Sequence, residues 1–326
     1  MTSRRQVVVA MAACPLGISL VSNAQPTKDI PRIGYVSSQT PDWYLESFRQ
    51  RLRELGYLEG SNLVFELRRA EGRLKEMPGL VRDLIEKNVS VLVLLNLAAL
   101  DAARKTGTTI PIVTLSSIDP VKSGLVASLA KPGGNITGLT NLQRDLNAKR
   151  LELVREIFPR LSRLAILWDA NGPGPKVAFA EYQAVAKSLK LHVQSLALQG
   201  PAPDLEAAFQ AAVTEKAEAL IVVSNPMLGA HLATVTSLAM QRRIPLISEN
   251  ENWANAGALI SYGASLRELG RRFASLTHRI LQGAKPSDLP FEQSTVFEMV
   301  LNMKAAKALG ITIPPTIQVR ATKVVE

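Results

Sequence analysis

The apolar positions of this chain change their spacing at regular intervals. Short continuous apolar runs, such as Val89–Leu95 and Ala219–Ser224, alternate with stretches in which apolar residues recur every three or four positions. Tyr44, Phe48, Leu52 and Leu55 form one such stripe. Leu205, Ala208, Phe209, Ala212 and Val213 form a second, and Leu266, Leu269, Phe273, Leu276 and Ile280 a third. Runs of the first kind predict strands covered on both faces, and stripes of the second predict helices with one buried face. The pattern gives strand Arg32–Ser37, helix Asp42–Gly56, strand Asn62–Arg68, helix Leu74–Asn88, strand Val89–Leu95, helix Ala98–Thr106 and strand Ile112–Ser116. The same order then returns: strand Arg163–Asp169, helix Val177–Leu189, strand Leu191–Leu198, helix Leu205–Lys216, strand Ala219–Ser224, helix Gly229–Arg242 and strand Leu246–Ser248. Even the openings of the two closing strands agree, Ile110-Pro111 and Ile244-Pro245. Alternation of this kind predicts parallel sheets. Its repetition predicts an α/β protein of two doubly wound parallel-sheet lobes with a ligand cleft between them.

The segment Asn135–Asn141 leads into a helix over Asp145–Ile157 and so into the second lobe. Beyond Ser248 the pattern continues with strand Ala258–Tyr262, helix Leu266–Gln282, a turn at Pro286–Pro290, strand Thr295–Leu301 and helix Met303–Leu309. This tail is expected to return to the first lobe and cross again. The first lobe would then hold residues 25–141 and 259–288, and the second 142–258 and 289–326. Three crossings would make a hinge on which the lobes close as rigid bodies.

At 326 residues and 47% apolar, the chain is long enough to build two cores. Its formal charge of +10 raises the question of nucleic acid. The basic residues are spread along helices beside acids, as Arg51 and Arg53 are beside Glu54, and no Lys/Arg-rich block occurs, which argues against it. At the N-terminus, Arg4 and Arg5 precede an apolar run from Val7 to Val21, and Ser22-Asn23-Ala24 offers small residues for cleavage before Gln25. Residues 1–24 thus read as a cleavable signal peptide and predict a periplasmic protein. The run is short for a membrane span, which needs roughly twenty residues. Ser3-Arg4-Arg5 permits twin-arginine export, but without the usual Phe-Leu after it ordinary secretion is preferred. Met11-Ala12-Ala13-Cys14 leaves too short a core for a lipoprotein site. Cleavage removes the single cysteine and, with Arg4 and Arg5 gone, lowers the charge to +8. Thiol catalysis and zinc–thiolate sites are then excluded.

No catalytic constellation stands out. His192, His231 and His278 lack metal-ligand spacing. Gly172-Pro173-Gly174-Pro175 lacks the Lys-Ser/Thr ending of a phosphate loop and reads as a rigid turn, and no Gly-x-Ser-x-Gly elbow occurs. No catalytic residue, cofactor or metal is expected.

Several ordered segments carry a resemblance. They include Phe48-Arg49-Gln50, Leu55-Gly56-Tyr57 with Glu59-Gly60, Arg69-Ala70-Glu71-Gly72-Arg73, Asp119-Pro120-Val121 with Ser123-Gly124-Leu125-Val126, and Pro132-Gly133-Gly134-Asn135-Ile136-Thr137-Gly138. Later come Leu259-Ile260-Ser261-Tyr262-Gly263, Gly283-Ala284-Lys285-Pro286 with Asp288-Leu289-Pro290, and Ala305 with Lys307-Ala308-Leu309-Gly310. In order and spacing the chain resembles ABC-transporter substrate-binding proteins of the group that includes the tryptophan- and tyrosine-binding proteins. The resemblance implies a type I periplasmic binding fold, a small-molecule ligand such as an aromatic or other amino acid, and delivery to the permease of an ABC importer by a monomer. A ligand-sensing partner of a membrane receptor would use the same fold, and an exported enzyme is a third class. Many relatives have Gly-Thr where this chain has Leu95-Asn96, and Asp-Pro where it has Asn225-Pro226. The second change removes a possible ammonium partner.

Ligands of open α/β sheets sit beyond the carboxyl ends of the strands. That rule selects Ser37 and Ser38, then Asn96 with Ala98 at a helix start suited to a carboxylate, then Ser116, Ser117 and Asp119. In the second lobe it selects Trp168, Asp169 and Asn171, Ser224 and Asn225, and Glu249 and Asn250. Asn141 and Tyr262 lie near the crossings. The ligand set taken from these is Ser37, Ser38, Asn96, Ala98, Ser117, Asp119, Asn141, Trp168, Asn171, Asn225, Glu249 and Tyr262. Each has a structural alternative: Asp119 as a turn or helix cap, Trp168 and Tyr262 as core, the serines and asparagines as caps.

Overall fold

Two sheets carry the fold, and the apolar runs of the sequence are their strands. The computed structural model describes residues 30–38, 42–116, 119–140, 143–200 and 202–326; the signal-peptide reading of residues 1–24 lies outside them. The first sheet contains β1 (Arg32–Ser37), β2 (Val64–Arg69), β3 (Val91–Leu94), β4 (Ile112–Ser116), β5 (Ile136–Thr140) and, late in the chain, β11 (Glu292–Gln293). The second contains β6 (Arg163–Asp169), β7 (His192–Leu198), β8 (Ala219–Val222), β9 (Leu246–Ser248), β10 (Ile260–Ala264), β12 (Phe297–Asn302) and β13 (Lys323–Val325). Their orders are β11-β5-β4-β3-β1-β2 and β13-β12-β10-β9-β8-β6-β7. Every pairing in the first sheet is parallel; in the second only β10 with β12 is antiparallel.

Helices α1 (Leu45–Glu54), α2 (Met77–Glu86), α3 (Leu97–Thr106) and α10 (Leu266–Leu281) cover the first sheet. Helices α4 (Gln143–Ile157), α5 (Pro173–Ser188), α6 (Leu205–Thr214), α7 (Pro226–Ala230), α8 (Leu232–Gln241), α9 (Glu251–Ala256), α11 (Met303–Leu309) and α12 (Pro315–Arg320) belong to the second. In β3, Val91 and Val93 meet α1 and α10 on one face, while Leu92 and Leu94 meet α2 and α3 on the other. In β6, Ile166 and Trp168 point into one core and Ala165 and Leu167 into its opposite. Cover on both faces is why these strands read as unbroken apolar runs. Four expected strands, Arg32–Ser37, Ile112–Ser116, Arg163–Asp169 and Leu246–Ser248, are found residue for residue.

Helix ends depart from the pattern for local reasons. The helix expected from Asp42 begins at Leu45, after a turn that Asp42 ties down: its Oδ1 accepts from the backbone N–H groups of Tyr44 (2.9 Å) and Leu45 (3.1 Å). The helix expected from Val177 begins four residues earlier, and the Gly-Pro-Gly-Pro segment read as a turn is its start. Proline suits a first helical turn, where its missing N–H has no intrahelical partner. The single helix expected over Gly229–Arg242 is two, α7 and α8, meeting at His231.

The tail crosses between the sheets later than expected. Strand β10 stays with the second sheet, Ile260 and Ser261 pairing with Ile247 and Ser248 of β9, so residues 259–264 do not return to the first lobe. The return is made by α10, whose apolar stripe (Leu266, Leu269, Phe273, Leu276, Ile280) finds its cover against β1, β3 and α1. Residues 289–293 then remain with the first sheet. Thr137 Oγ1 donates to the Leu289 carbonyl (2.9 Å), and Glu292 and Gln293 pair with Leu139 and Thr140. The crossings fall between β5 and α4, between β10 and α10, and between β11 and β12. Helix α10 lies close on α1 at Gly270, where a Cβ would overlap the Ser47 hydroxyl and stand 2.6 Å from the Tyr44 carbonyl oxygen. Among the described residues no helix is long and apolar enough to cross a membrane.

Candidate ligand-binding site

The carboxyl ends of both sets of strands open onto one cavity of about 410 Å³, within the range of small-molecule sites. The first sheet supplies Val36, Ser38, Leu95, Asn96 and Leu115, with Leu97 and Ala98 from the start of α3. Trp43 and Tyr44 reach it from just before α1. The second sheet supplies Asp169, Val223, Ser224, Glu249 and Asn250, with Asn171, Asn225 and, along α5, Val177, Ala178 and Glu181. Ala264 and Leu266, at the second crossing, complete the wall.

Asparagines set the local geometry by capping the helices that begin at the cavity. Asn96 Oδ1 accepts from Ala99 N–H (2.9 Å), Asn225 Oδ1 from Leu228 N–H (2.9 Å), and Asn250 Oδ1 from Asn252 N–H (3.2 Å). The cap at Asn96 leaves the first two N–H groups of α3, at Leu97 and Ala98, before the first intrahelical bond at Leu100. It also fixes the Asn96 Nδ2, which is buried and has no hydrogen-bond partner among the described residues.

Behind the second-lobe wall lies a polar cluster around Arg150, whose side chain is fully buried. Its Nε donates to the Tyr262 carbonyl (2.6 Å), and its Nη1 to Asn147 Oδ1 (2.7 Å) and the Tyr182 hydroxyl (2.9 Å). Glu249 Oε1 lies 3.5 Å from the same Nη1, and Glu249 Oε2 accepts from Ser224 N–H (3.1 Å). Desolvation pushes the Glu249 carboxyl above the usual range, against the pull of Arg150. Burial likewise raises Asp42, whose carboxylate also accepts from the Tyr35 hydroxyl (3.2 Å) and from Ser37. Asp42, Asp101, Asp169, Glu181 and Glu249 all line the cavity, and no lysine, arginine or histidine among the described residues does.

Of the twelve residues chosen from the sequence, the structure brings Ser38, Asn96, Ala98, Asn171, Asn225 and Glu249 to the cavity wall. Ser117 and Asn141 lie outside the described residues. The other four do not line it. Ser37 is buried beneath Asp42. Trp168 points to the opposite side of β6, where its ring stacks on Phe179 at 4.6 Å and its Nε1 donates to Ser195 Oγ (2.9 Å). Tyr262 packs into the same core and offers Arg150 only its carbonyl. Asp119 caps its own turn, Oδ1 accepting from Val121 N–H (3.0 Å) and Lys122 N–H (3.1 Å). Asp119→Ala is therefore expected to keep wild-type occupancy of any compound that co-purifies, and to lose about 1 kcal/mol of stability, as caps do. Native mass spectrometry and thermal unfolding check the two halves; lost occupancy at an unchanged melting temperature would reverse the assignment.

Trp43, Tyr44, Asp101 and Glu181 had no place in that set. Tyr44 reads as part of the α1 stripe, and Glu181 as one more polar position of an amphipathic helix. Among the described residues no group of His, Cys, Asp and Glu could hold a metal ion.

With this geometry in view, residues 33–325 match the family model of the ABC transporter substrate binding proteins. The chain belongs to that family. It is thus a substrate-binding protein that holds a small ligand, and not an enzyme. A tyrosine-binding protein of Clostridioides difficile is 24% identical to this substrate-binding protein over 291 residues, covering 89% of this chain and 83% of that one. The crystal structure of a conserved domain protein of Vibrio cholerae superposes with a TM-score of 0.82 at 26% identity, covering 90% of this chain and 99% of that chain. The ABC domain of a Streptococcus pneumoniae protein in complex with L-Trp gives a TM-score of 0.81 at 23% identity, with the same coverage. These likenesses establish two lobes of the periplasmic binding type for this substrate-binding protein.

Proposed function

We propose that the protein is the solute receptor of an ABC importer, exported to the cell envelope and catching a small molecule with an aromatic body between its lobes. The cavity itself carries this reading. Its wall is shared by both sheets, so a ligand touching both favours the closed arrangement by its contacts with each. Trp43 and Tyr44 offer aromatic surface on one side, while the free N–H groups of α3 and the Asn96 amide offer donors to a carboxylate or hydroxyl. The tyrosine- and tryptophan-binding relatives support an aromatic amino acid as the ligand. The signal-like residues 1–24 support export, and the three crossings support a hinge.

The test is native mass spectrometry of protein purified gently from its own cytoplasm-free fraction, followed by unfolding to identify what is released. One stoichiometric, chemically unaltered compound that raises the melting temperature of the emptied protein is expected. Turnover of that compound, or no retained compound and no thermal shift with any amino acid, would overturn the reading.

A further inference from the structure

We infer that Asp169 is the anchor for a cationic nitrogen of the ligand, a deepening that rests on the receptor reading above. Asp169 ends β6, is 3% exposed and lines the cavity. Its hydrogen-bond partners are neutral amides. Oδ1 accepts from the backbone N–H (2.9 Å) and Nδ2 (2.8 Å) of Asn171, and Oδ2 from Asn225 Nδ2 (2.6 Å). The orientation of the Asn225 amide is fixed from its other end, because its Oδ1 caps α7. Amides hold a carboxylate in place but do not neutralise it, and a buried charge without a counter-charge is costly.

The other carboxylates of the wall differ in partner or in burial: Glu181, whose Oε2 accepts from Asn147 Nδ2 (3.1 Å), is only part-buried. Glu249 faces Arg150 at 3.5 Å, and Asp101 is half exposed with Arg104 at 4.0 Å. Asp42 is occupied by the backbone N–H groups of Tyr44 and Leu45 in the turn before α1, and burial raises its carboxyl above the ordinary range. Asp169 is the buried wall carboxylate held by amides alone, with no basic side chain on the wall among the described residues. A protonated amine placed there supplies the missing charge. The unpartnered Asn96 Nδ2 across the cavity suits an acceptor at the ligand's other end. The ligand class is therefore an amine with an aromatic or apolar body. Sugars and simple carboxylic acids lack the group that Asp169 requires.

The experiment titrates emptied protein with L-tyrosine, tyramine and 3-(4-hydroxyphenyl)propionate, which share a ring and differ in the amine and the carboxylate. Wild type and Asp169→Asn are compared, with unliganded melting temperatures recorded to confirm that the variant folds. The two amines are expected to bind and the acid to fail. Asp169→Asn should weaken the amines by about 10–100-fold, the scale of a hydrogen bond to a charged group, an effect that a merely structural role would not confine to amines. Binding of the acid as tight as that of the amines, or unchanged amine affinity in Asp169→Asn, overturns the anchor and leaves the receptor standing. So does a co-purifying compound without a basic nitrogen. Absence of any retained compound together with no response to all three probes overturns the receptor reading, and the anchor with it.

Discussion

Replacing Arg150 by methionine is expected to cost about 3–5 kcal/mol of folding stability, the scale for breaking a buried ion pair by removing one partner. The guanidinium has no solvent contact, so everything it satisfies loses its partner at once: the Tyr262 carbonyl, Asn147, the Tyr182 hydroxyl and Glu249. Glu249 suffers most, since desolvation already disfavours its charged form. Without Arg150 its folded pKa rises further above the unfolded value. The folded state then binds more protons than the unfolded, so stability falls as pH rises through and above the ordinary glutamate range. The loss in Arg150→Met should accordingly shrink as the pH is lowered toward 4.5, the ordinary value for that carboxyl. Pairing it with Glu249→Leu should recover a large part of it, because two apolar residues need no counter-charge. Urea unfolding of both single variants and the double variant measures the coupling. A single-variant loss below about 1 kcal/mol, the scale of an exposed pair, would show that the cluster is open to water.

The second large effect is expected at Gly270. Alanine there should destabilise the protein by about 2 kcal/mol, within the range for forcing a methyl into a packed contact. The Ser47 hydroxyl can rotate away from the new Cβ. The Tyr44 carbonyl cannot, because it accepts from Phe48 N–H (2.9 Å) and Ser47 Oγ (3.0 Å). Helix α1 must shift instead, carrying Trp43 and Tyr44 with it, so ligand retention should fall as well. The same change at Gly79 in α2, where a Cβ meets nothing within 4 Å, should stabilise by about 0.5–1 kcal/mol through helix propensity alone. Thermal unfolding of the two variants decides the matter by sign. A stabilised Gly270→Ala would mean that α1 and α10 pack less tightly than their backbones indicate.

What the sequence made legible follows from burial. Strands such as β1, β6 and β9 are covered on both faces, and their apolar runs mark them to the residue. The short helices α7 and α9, of five and six residues, are too brief to show a period, and β11 pairs through only two residues. The membership of β10 was hidden because a five-residue strand carries nothing that assigns it to one sheet over the other; only its pairing with β9 and β12 decides. At the site, the strand-end rule found Asn96, Asn225 and Glu249, where position in the fold alone sends a side chain to the cavity. It failed between Trp168 and Asp169. The rule names a strand end, and the alternation of side chains along β6 turns the tryptophan into the core and the carboxylate toward the cavity. Tyr44 escaped because helix periodicity claims an aromatic on the stripe for the core, and Trp43, one position off the stripe, lies at no strand end.

The late return of α10 also governs how the chain can be made. Phe48 and Leu52 of the first lobe share a core with Leu269, Phe273 and Leu276, and Arg51 reaches Ser275 across 224 positions. A nascent chain that has delivered all of β1 to β5 has only α1 over one face of that sheet, so the cover of Ile33, Tyr35, Val91 and Val93 is incomplete until residue 281 has emerged. The second sheet is equally unfinished until β12 and β13 arrive at the very end. Contacts of such long sequence separation delay folding. Neither lobe can therefore be cut out as one contiguous fragment, because each is built from segments on both sides of the other.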